Sequence, residues 1–242
     1  MLAVIIYIVA QFVSMLPVVI FPRLLGWSHD HATEWLNTVG AQFWYVLFAE
    51  AVTVGCVWWF LRSQNKSMRL IGWRWPRWPD FAKAIAGYFV YLVIFLIVAA
   101  VAIQLIPALN ADQKQQLGFD NPAGTISLVL TFISLVVLPP IAEETLFRGL
   151  VYTGMRSKLR FIPAAILTSL IFSSAHLQLG SGAPPLWTAA LDTFILSLVL
   201  CYLREKTGSL WAGIFVHAGK NSVAFWVLYL VPLLHIHWIN LV

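Results

Sequence analysis

The chain has 242 residues, of which 60% are hydrophobic and 10% are charged. This balance excludes an ordinary soluble domain, in which roughly a quarter of the residues are charged. The net charge of +5 does not indicate nucleic-acid binding, because Lys and Arg lie in short segments between apolar runs. The composition therefore predicts an integral membrane protein whose partner is the lipid bilayer and not nucleic acid.

The apolar runs are long enough, at about 18 residues or more, to cross a hydrocarbon core of roughly 30 Å as helices. Such runs favour helices over a β-barrel, whose strands would alternate apolar and polar residues. We therefore predict an all-α, polytopic membrane protein of about seven transmembrane helices, with the site among the later helices. The predicted spans are 1–22, 41–61, 81–106, 125–157, 162–179, 186–203 and 208–232.

These spans suggest three parts of the chain. Residues 1–124 form the first three transmembrane helices and their loops, and residues 125–225 form a helical core that carries the candidate site. Residues 226–242 hold the end of the last span or a short eighth helix. We interpret the first 22 residues as a retained helix, because they lack the basic segment that begins a signal peptide.

Lys and Arg are distributed unevenly among the predicted connections. The connections that follow the second, fourth and sixth spans are basic, whereas the others contain only Arg23 and Lys114. Because positively charged loops resist translocation, we place the N-terminus and the basic connections in the cytoplasm. We expect the membrane to be the cell (inner) membrane. The basic residues are Arg62, Lys66, Arg69, Arg74, Arg77, Lys83, Arg156, Lys158, Arg160, Arg204 and Lys206.

Two other features have structural interpretations. The alternation of Trp and Arg from Trp73 to Trp78 is typical of an interfacial belt, with a platform for an anionic partner as the alternative. Cys56 and Cys201 both lie inside apolar runs, so they indicate packing residues and neither a disulfide framework nor a metal cluster.

The fourth span contains two adjacent carboxylates, Glu143 and Glu144, followed by Arg148. Ionisable residues are costly inside a bilayer, so each of them indicates a functional site. Glu144 and Arg148 are four residues apart and would form an ion pair on one helix face, whereas Glu143 is turned about 100° away. We expect Glu144 and Arg148 to be structural and Glu143 to act as a general base. In the alternative interpretation, both glutamates only fix helix packing.

Two later spans contain polar pairs at the same spacing. His176 follows Phe172 on one predicted helix face, and Asn221 follows His217. A lone histidine in a helix is more often a packing residue than a catalyst, so His176 alone is weak evidence. His217 and Asn221 can both donate hydrogen bonds to a developing oxyanion.

The depths of these residues in the bilayer are mutually compatible. Counted from the predicted cytoplasmic ends at about 1.5 Å per residue, Glu143 and His176 lie roughly 21 Å deep. Asn221 lies about 20 Å deep and His217 about 14 Å deep on the same count. We therefore expect the four side chains to converge on one polar cavity.

The three motifs occur in a fixed order on separate spans: Glu143-Glu144-x-x-x-Arg148, Phe172-x-x-x-His176 and His217-x-x-x-Asn221. In this combination the chain resembles the CAAX-protease and bacteriocin-processing family, whose eukaryotic branch is the type II CAAX prenyl endopeptidase. The resemblance covers about residues 125–225. It implies an intramembrane endopeptidase that hydrolyses a peptide bond of a membrane-associated peptide or protein.

The resemblance also implies a role for each motif residue. The residues that match Glu143 and His176 would activate water, and those that match His217 and Asn221 would stabilise the oxyanion. Members of this family have also been described as metalloproteases, so zinc is an alternative, with Glu143, His176 and His217 as its ligands. Because the chain lacks the His-Glu-x-x-His helix, we favour water activation without a metal or other cofactor.

Other functional classes fit the sequence less well. A serine protease needs a nucleophile with a basic partner, which neither Ser181 nor Ser209 has in an obvious form, and an aspartyl protease needs a second aspartate beside Asp192. Two non-enzymatic alternatives stay open: a membrane scaffold or regulator that keeps the motif residues, and, with less support, a transporter. We interpret the remaining intramembrane charges, Glu50, Asp192 and Lys220, as groups that line or brace a polar cavity.

Overall fold

A computed structural model describes residues 2–106, 118–119, 122–178 and 184–233 of the chain. The regular elements within these ranges are all helical, which confirms the predicted all-α fold. We number the principal helices of the described ranges α1 to α8 in chain order. They are Leu2–Leu24, His29–Leu36, Val39–Ser63, Trp78–Leu105, Gly124–Arg156, Phe161–Ser174, Trp187–Thr207 and Trp211–Phe225.

Five helices of the described ranges, α1, α3, α4, α5 and α7, are long and apolar enough to cross a membrane. The chain is therefore an integral membrane protein, and these helices coincide with five of the predicted spans. Helix α6 is apolar but has 14 residues, so it is shorter than the predicted span 162–179. Helix α8 continues beyond Phe225 as a helix to residue 233. An eighth span after that point would lie outside the described residues, as does most of the predicted connection 107–124 between the third and fourth spans.

The chain divides into two compact units. The first unit comprises Met1–Trp59, Leu117–Glu143 and Ala218–Val242, and the second comprises Phe60–Gln116 and Glu144–His217. Glu143 is the last residue of one segment of the first unit, and His217 is the last residue of one segment of the second.

A proline in helix α1 of the first unit leaves a carbonyl group that a side chain from another helix satisfies. Pro22 has no N–H, so it cannot donate to the carbonyl of Val18 one turn earlier. The indole Nε1 of Trp35 on α2 donates to that carbonyl across 3.3 Å. Helices α1 and α3 are joined by a hydrogen bond between two side chains, in which the Tyr45 hydroxyl donates to the Gln11 amide oxygen.

The second unit has an apolar core formed by α4, α7 and α8. A Cβ atom at Gly87 of α4 would lie 2.8 Å from Leu203 on α7, so the glycine permits the close approach of these helices. Helix α7 ends at Gly208, whose φ of +64° is a left-handed conformation that favours glycine. The buried core residues are Ala84, Tyr91, Ile195, Leu196, Val199, Leu200, Leu203, Ala212 and Val216.

The Trp-rich connection before α4 combines two environments. Trp75 and Trp78 are 89% and 84% exposed, as the interfacial interpretation expects. Trp73, in contrast, donates a hydrogen bond from its indole to the Thr145 hydroxyl across 3.1 Å. Nearby, the Arg74 guanidinium pairs with the buried Asp80 at 2.6 Å. One end of this connection is therefore part of the packing of the second unit.

Candidate functional site

The second unit encloses a buried ion pair. Glu144 and Arg148 are 0% and 1% exposed, and Arg148 Nη1 lies 3.1 Å from Glu144 Oε1. The contact is an ion pair by distance, because the guanidinium aligns with no hydrogen-bond acceptor among the described residues. The charged carbon of Arg148 also lies 4.3 Å from the centre of the Phe172 ring. The carboxylate and the ring face together offset the desolvation of the buried cation.

A histidine from α8 contacts the same carboxylate oxygen. His217 Nδ1 lies 3.2 Å from Glu144 Oε1, and His217 is buried. Since a carboxylate only accepts, Nδ1 carries the proton in this contact. The other ring nitrogen, Nε2, can then donate a hydrogen bond only when the ring carries both protons. Glu144 thus orients His217 as well as pairing with Arg148.

His176 lies in a turn and not on the predicted helix face, because α6 ends at Ser174. The last turn tightens there: the His176 backbone N–H donates to the Ser173 carbonyl at 3.0 Å. The Phe172 carbonyl would otherwise accept that backbone N–H, and it instead lies 2.9 Å from His176 Nδ1. Because a carbonyl only accepts, Nδ1 carries a proton, and the lone pair of the neutral ring is on Nε2.

Phe172 brings the two histidines of the second unit together. Its ring centre lies 4.7 Å from that of His176 and 5.9 Å from that of His217. The ring is fully buried and also stacks edge-on against Phe147 at 4.9 Å. The phenylalanine of the second motif therefore holds His176 near the carboxylate and guanidinium of the first motif.

Gly213 leaves room for the Glu144 carboxylate, a role that the sequence analysis missed. A Cβ atom at position 213 would lie 2.8 Å from Glu144 Oε2. Gly213 precedes His217 by one helical turn, so both residues face the same carboxylate. The spacing of Gly213 and His217 could have revealed this role, since a small residue one turn before a motif histidine indicates that another group packs closely against that helix face.

In the first unit, Asn221 binds a carbonyl group that prolines leave without a helical donor. The carbonyl of Leu135 would accept from residue 139 in an α-helix or from residue 140 in a π-helix, and both are prolines. Asn221 Nδ2 donates to this carbonyl across 2.8 Å. The Pro139-Pro140 break thus explains why an amide side chain is needed at position 221.

Glu143 is the last residue of an α-helical segment of α5, and the next segment, Glu144–Val151, is π-helical. π-Helical segments are rare in proteins, and those that occur are often found at functional sites. Glu143 lies within electrostatic range of Glu50 on α3 and Tyr7 on α1 in the first unit. Glu50 was recognised in the sequence as an intramembrane charge, whereas Tyr7 was missed because a tyrosine near a helix start is ordinary in membrane proteins.

The predicted catalytic residues are thus distributed over both units. Glu143 and Asn221 belong to the first unit, and His176 and His217 belong to the second. The convergence of all four stays a prediction. Among the other intramembrane charges, Asp192 accepts a hydrogen bond from the Tyr91 hydroxyl and so braces α7 against α4.

The alternative zinc site receives no ligand cluster from the described residues. Within these ranges no group of three or more His, Cys, Asp and Glu residues is arranged to hold a metal ion. The Nδ1 atoms of His176 and His217 are engaged by the Phe172 carbonyl and the Glu144 carboxylate. Water activation without a metal stays a prediction, with zinc as its alternative, and no step proposed below passes through a metal.

Comparisons with known proteins point to the segment that carries the motifs. Residues 125–223 match the family model described as type II CAAX prenyl endopeptidase Rce1-like. An Escherichia coli relative named "Uncharacterized 24.3 kDa protein" is 30% identical over 136 residues, which are 55% of this chain and 57% of the relative. The chain thus spans little more than half the length of that relative.

A second relative covers more of the chain. The Bacillus subtilis (strain 168) protein named "Putative membrane peptidase YdiL" is 26% identical over 217 residues, 89% of this chain and 83% of the relative. No solved structure matches the chain. The similarities support a membrane protease, and they confirm that residues 125–223 resemble the type II CAAX prenyl endopeptidase family, as the three motifs predict.

Proposed function

We propose that the protein is an intramembrane endopeptidase that hydrolyses a peptide bond of a membrane-associated peptide or protein. One observation carries the proposal: the three polar motifs all lie within the segment that matches an endopeptidase family. The buried contacts among Glu144, Arg148 and His217 support it. Ionisable residues are costly inside a membrane, so their presence there indicates a function.

Glu143 and His176 are the proposed groups that activate the attacking water. A carboxylate can accept a proton from water while a second base orients it. His176 suits this role because its Nδ1 is held by the Phe172 carbonyl, which leaves the lone pair of the neutral ring on Nε2. Water that has lost a proton to these bases adds to the carbonyl carbon of the scissile bond. The C–N bond of the resulting tetrahedral intermediate then breaks, and the same proton passes to the leaving amine.

His217 and Asn221 are the proposed donors to the oxyanion that forms on the peptide carbonyl. They are four residues apart on α8. Asn221 Nδ2 has two hydrogens, and the Leu135 carbonyl accepts one of them, so the second can serve the oxyanion. His217 donates from Nε2 when its ring carries both protons. Such donors act most strongly where water is excluded.

Glu144 and Arg148 are proposed to position the site without touching the substrate. The Glu144 carboxylate holds His217 through Nδ1, and Arg148 balances its charge. Arg148 in turn lies over the ring of Phe172, which contacts His176. One buried carboxylate can therefore orient both histidines, directly in one case and through a guanidinium and a ring in the other.

The substrate is proposed to be either the prenylated C-terminal segment of a CAAX-type protein or the leader of a bacteriocin-like or signalling peptide. Both are membrane-associated, so either can meet the protein within the bilayer.

The test compares peptides released from membranes that contain the wild-type protein or the Glu143→Gln variant. Glutamine keeps the size of the side chain but cannot accept the proton, so at least one released peptide should disappear. Glu34→Gln is the matched control, because Glu34 is an exposed residue of α2 outside the motifs. Identical peptides from all three membranes would overturn the proposal and favour a non-catalytic scaffold.

A further inference from the structure

The second unit has a groove that the proposed reaction does not use. It has a volume of about 1000 Å³ and lies between α4, α6 and α7. None of the motif residues lines it. Its walls are largely apolar and include Val90, Ile94, Ile166 and Leu198.

Two lysines lie at one end of the groove. Lys83 is in the second turn of α4, and Lys206 is next to the last residue of α7. The first residue of α6, Phe161, lines the same end. Neither lysine forms an ion pair with a residue of the described ranges, although Lys206 Nζ lies 5.6 Å from the centre of the Tyr202 ring. This end of the groove therefore has two positive charges that no described acid compensates.

The rest of the groove matches one leaflet of a bilayer. Ile94 lines its other end and lies 11 residues beyond Lys83, about 16 Å along the helix axis. Half of a hydrocarbon core of about 30 Å has nearly the same depth. The lysine end is on the side that the positive residues assign to the cytoplasm. The groove is thus cationic at the headgroup level and apolar at the depth of the acyl chains.

We propose that this groove binds an anionic phospholipid of the cytoplasmic leaflet, with its phosphate at Lys83 and Lys206 and an acyl chain between α4, α6 and α7. Charge complementarity selects this occupant, because an anionic lipid brings a net negative charge to the two lysines, whereas a zwitterionic lipid brings a cation together with its phosphate. The apolar walls would bind the chain of either lipid, so the lysines supply the preference. The site is separate from the proposed catalytic residues and does not depend on the proteolytic function.

The experiment measures phospholipid binding by the full chain in detergent, with native mass spectrometry of phosphatidylglycerol and phosphatidylcholine titrations. The wild-type protein should prefer phosphatidylglycerol. Lys83→Gln/Lys206→Gln should weaken phosphatidylglycerol binding by about 30-fold, since each lysine near an anionic membrane contributes about fivefold. Phosphatidylcholine binding should change little.

The matched control is Lys66→Gln/Lys158→Gln, which removes the same charge from two exposed lysines outside the groove. It should keep the preference for phosphatidylglycerol. Equal weakening in both double variants, or equal binding of the two lipids by the wild type, would overturn the proposal. The proposal would also be overturned if the protein were a dimer and Lys83→Gln/Lys206→Gln bound lipid as the wild type does. That result would indicate a second copy of the chain as the occupant of the groove.

A second variant tests the apolar part of the groove. Ala86→Phe places a ring among the lining residues, whereas Ala100→Phe adds the same ring to an exposed position of α4 beyond the groove. Only Ala86→Phe should reduce the number of bound phosphatidylglycerol molecules, and it should do so with both lysines present. Elution of both variants as single sharp peaks in size-exclusion chromatography establishes that they are folded. Unchanged lipid binding by a folded Ala86→Phe protein would contradict the proposed path of the acyl chain.

Discussion

Asn221 donates a hydrogen bond from Nδ2 to the main-chain oxygen of Leu135 across 2.8 Å. The two residues are 86 positions apart, and Pro139-Pro140 explain the contact because they cannot supply a backbone donor to that oxygen. Asn221 therefore joins α8 to α5 by a hydrogen bond, and it is also a proposed oxyanion donor. The two roles can be separated by experiment.

Asn221→Ala should lower the free energy of unfolding by about 1–3 kcal/mol, because the Leu135 carbonyl loses its partner away from water. The double variant Asn221→Ala/Pro139→Ala restores a backbone N–H one turn after Leu135 and should recover much of that loss. Thermal unfolding in detergent measures both effects. If Asn221 is also the oxyanion donor, cleavage stays lost in the double variant. Full recovery of cleavage would restrict Asn221 to the structural role.

The two adjacent glutamates should respond differently to the same substitution. Glu144→Gln removes the carboxylate charge that pairs with Arg148 and that contacts His217 Nδ1. It should therefore destabilise the protein by about 3–5 kcal/mol. Adding Arg148→Met removes the uncompensated cation and should restore part of this stability. Glu143→Gln should leave the yield and the unfolding temperature nearly unchanged and abolish cleavage. A stable, inactive Glu144→Gln protein beside an active Glu143→Gln protein would reverse the two assignments.

Gly213→Ala should displace the Glu144 carboxylate. The added methyl group would lie 2.8 Å from Glu144 Oε2, and relief of such a contact costs about 1–3 kcal/mol. Gly154→Ala on α5 is the control, because its Cβ would meet no atom within 4 Å and its position is exposed. Alanine is the better helix former, so the control should be neutral or slightly stabilising. Equal unfolding temperatures for the two variants would argue against close packing of Gly213 on Glu144.

The proposed topology places the connection after α3 in the cytoplasm and that after α2 on the opposite side. Single cysteines at Lys66 and Asn37, both exposed, should therefore react with a membrane-impermeant thiol reagent from opposite sides of the membrane. The parent protein for this labelling lacks Cys56 and Cys201. Reaction of both positions from the same side would show that one span has been miscounted.

The sequence determined much of the helical architecture and the family resemblance, because both depend on local patterns. Apolar length alone identified α1, α3, α4, α5 and α7, since a bilayer requires helices of a minimum length. The spacing of four residues between Glu144 and Arg148 was enough to predict contact on one helix, and the three motifs were enough to identify the family resemblance.

The structure alone decided the contacts that join distant parts of the chain. Glu144 and His217 are 73 residues apart, so no local pattern could show that they share one carboxylate oxygen. The end of α6 was missed for a different, local reason: the His176 ring, only four residues after Phe172, contacts the carbonyl that the His176 backbone N–H would otherwise bind. Hydropathy continues past Ser174, and an apolar pattern does not show whether a side chain or a backbone N–H satisfies the last carbonyl groups of a helix; only the geometry of the turn in the structure does.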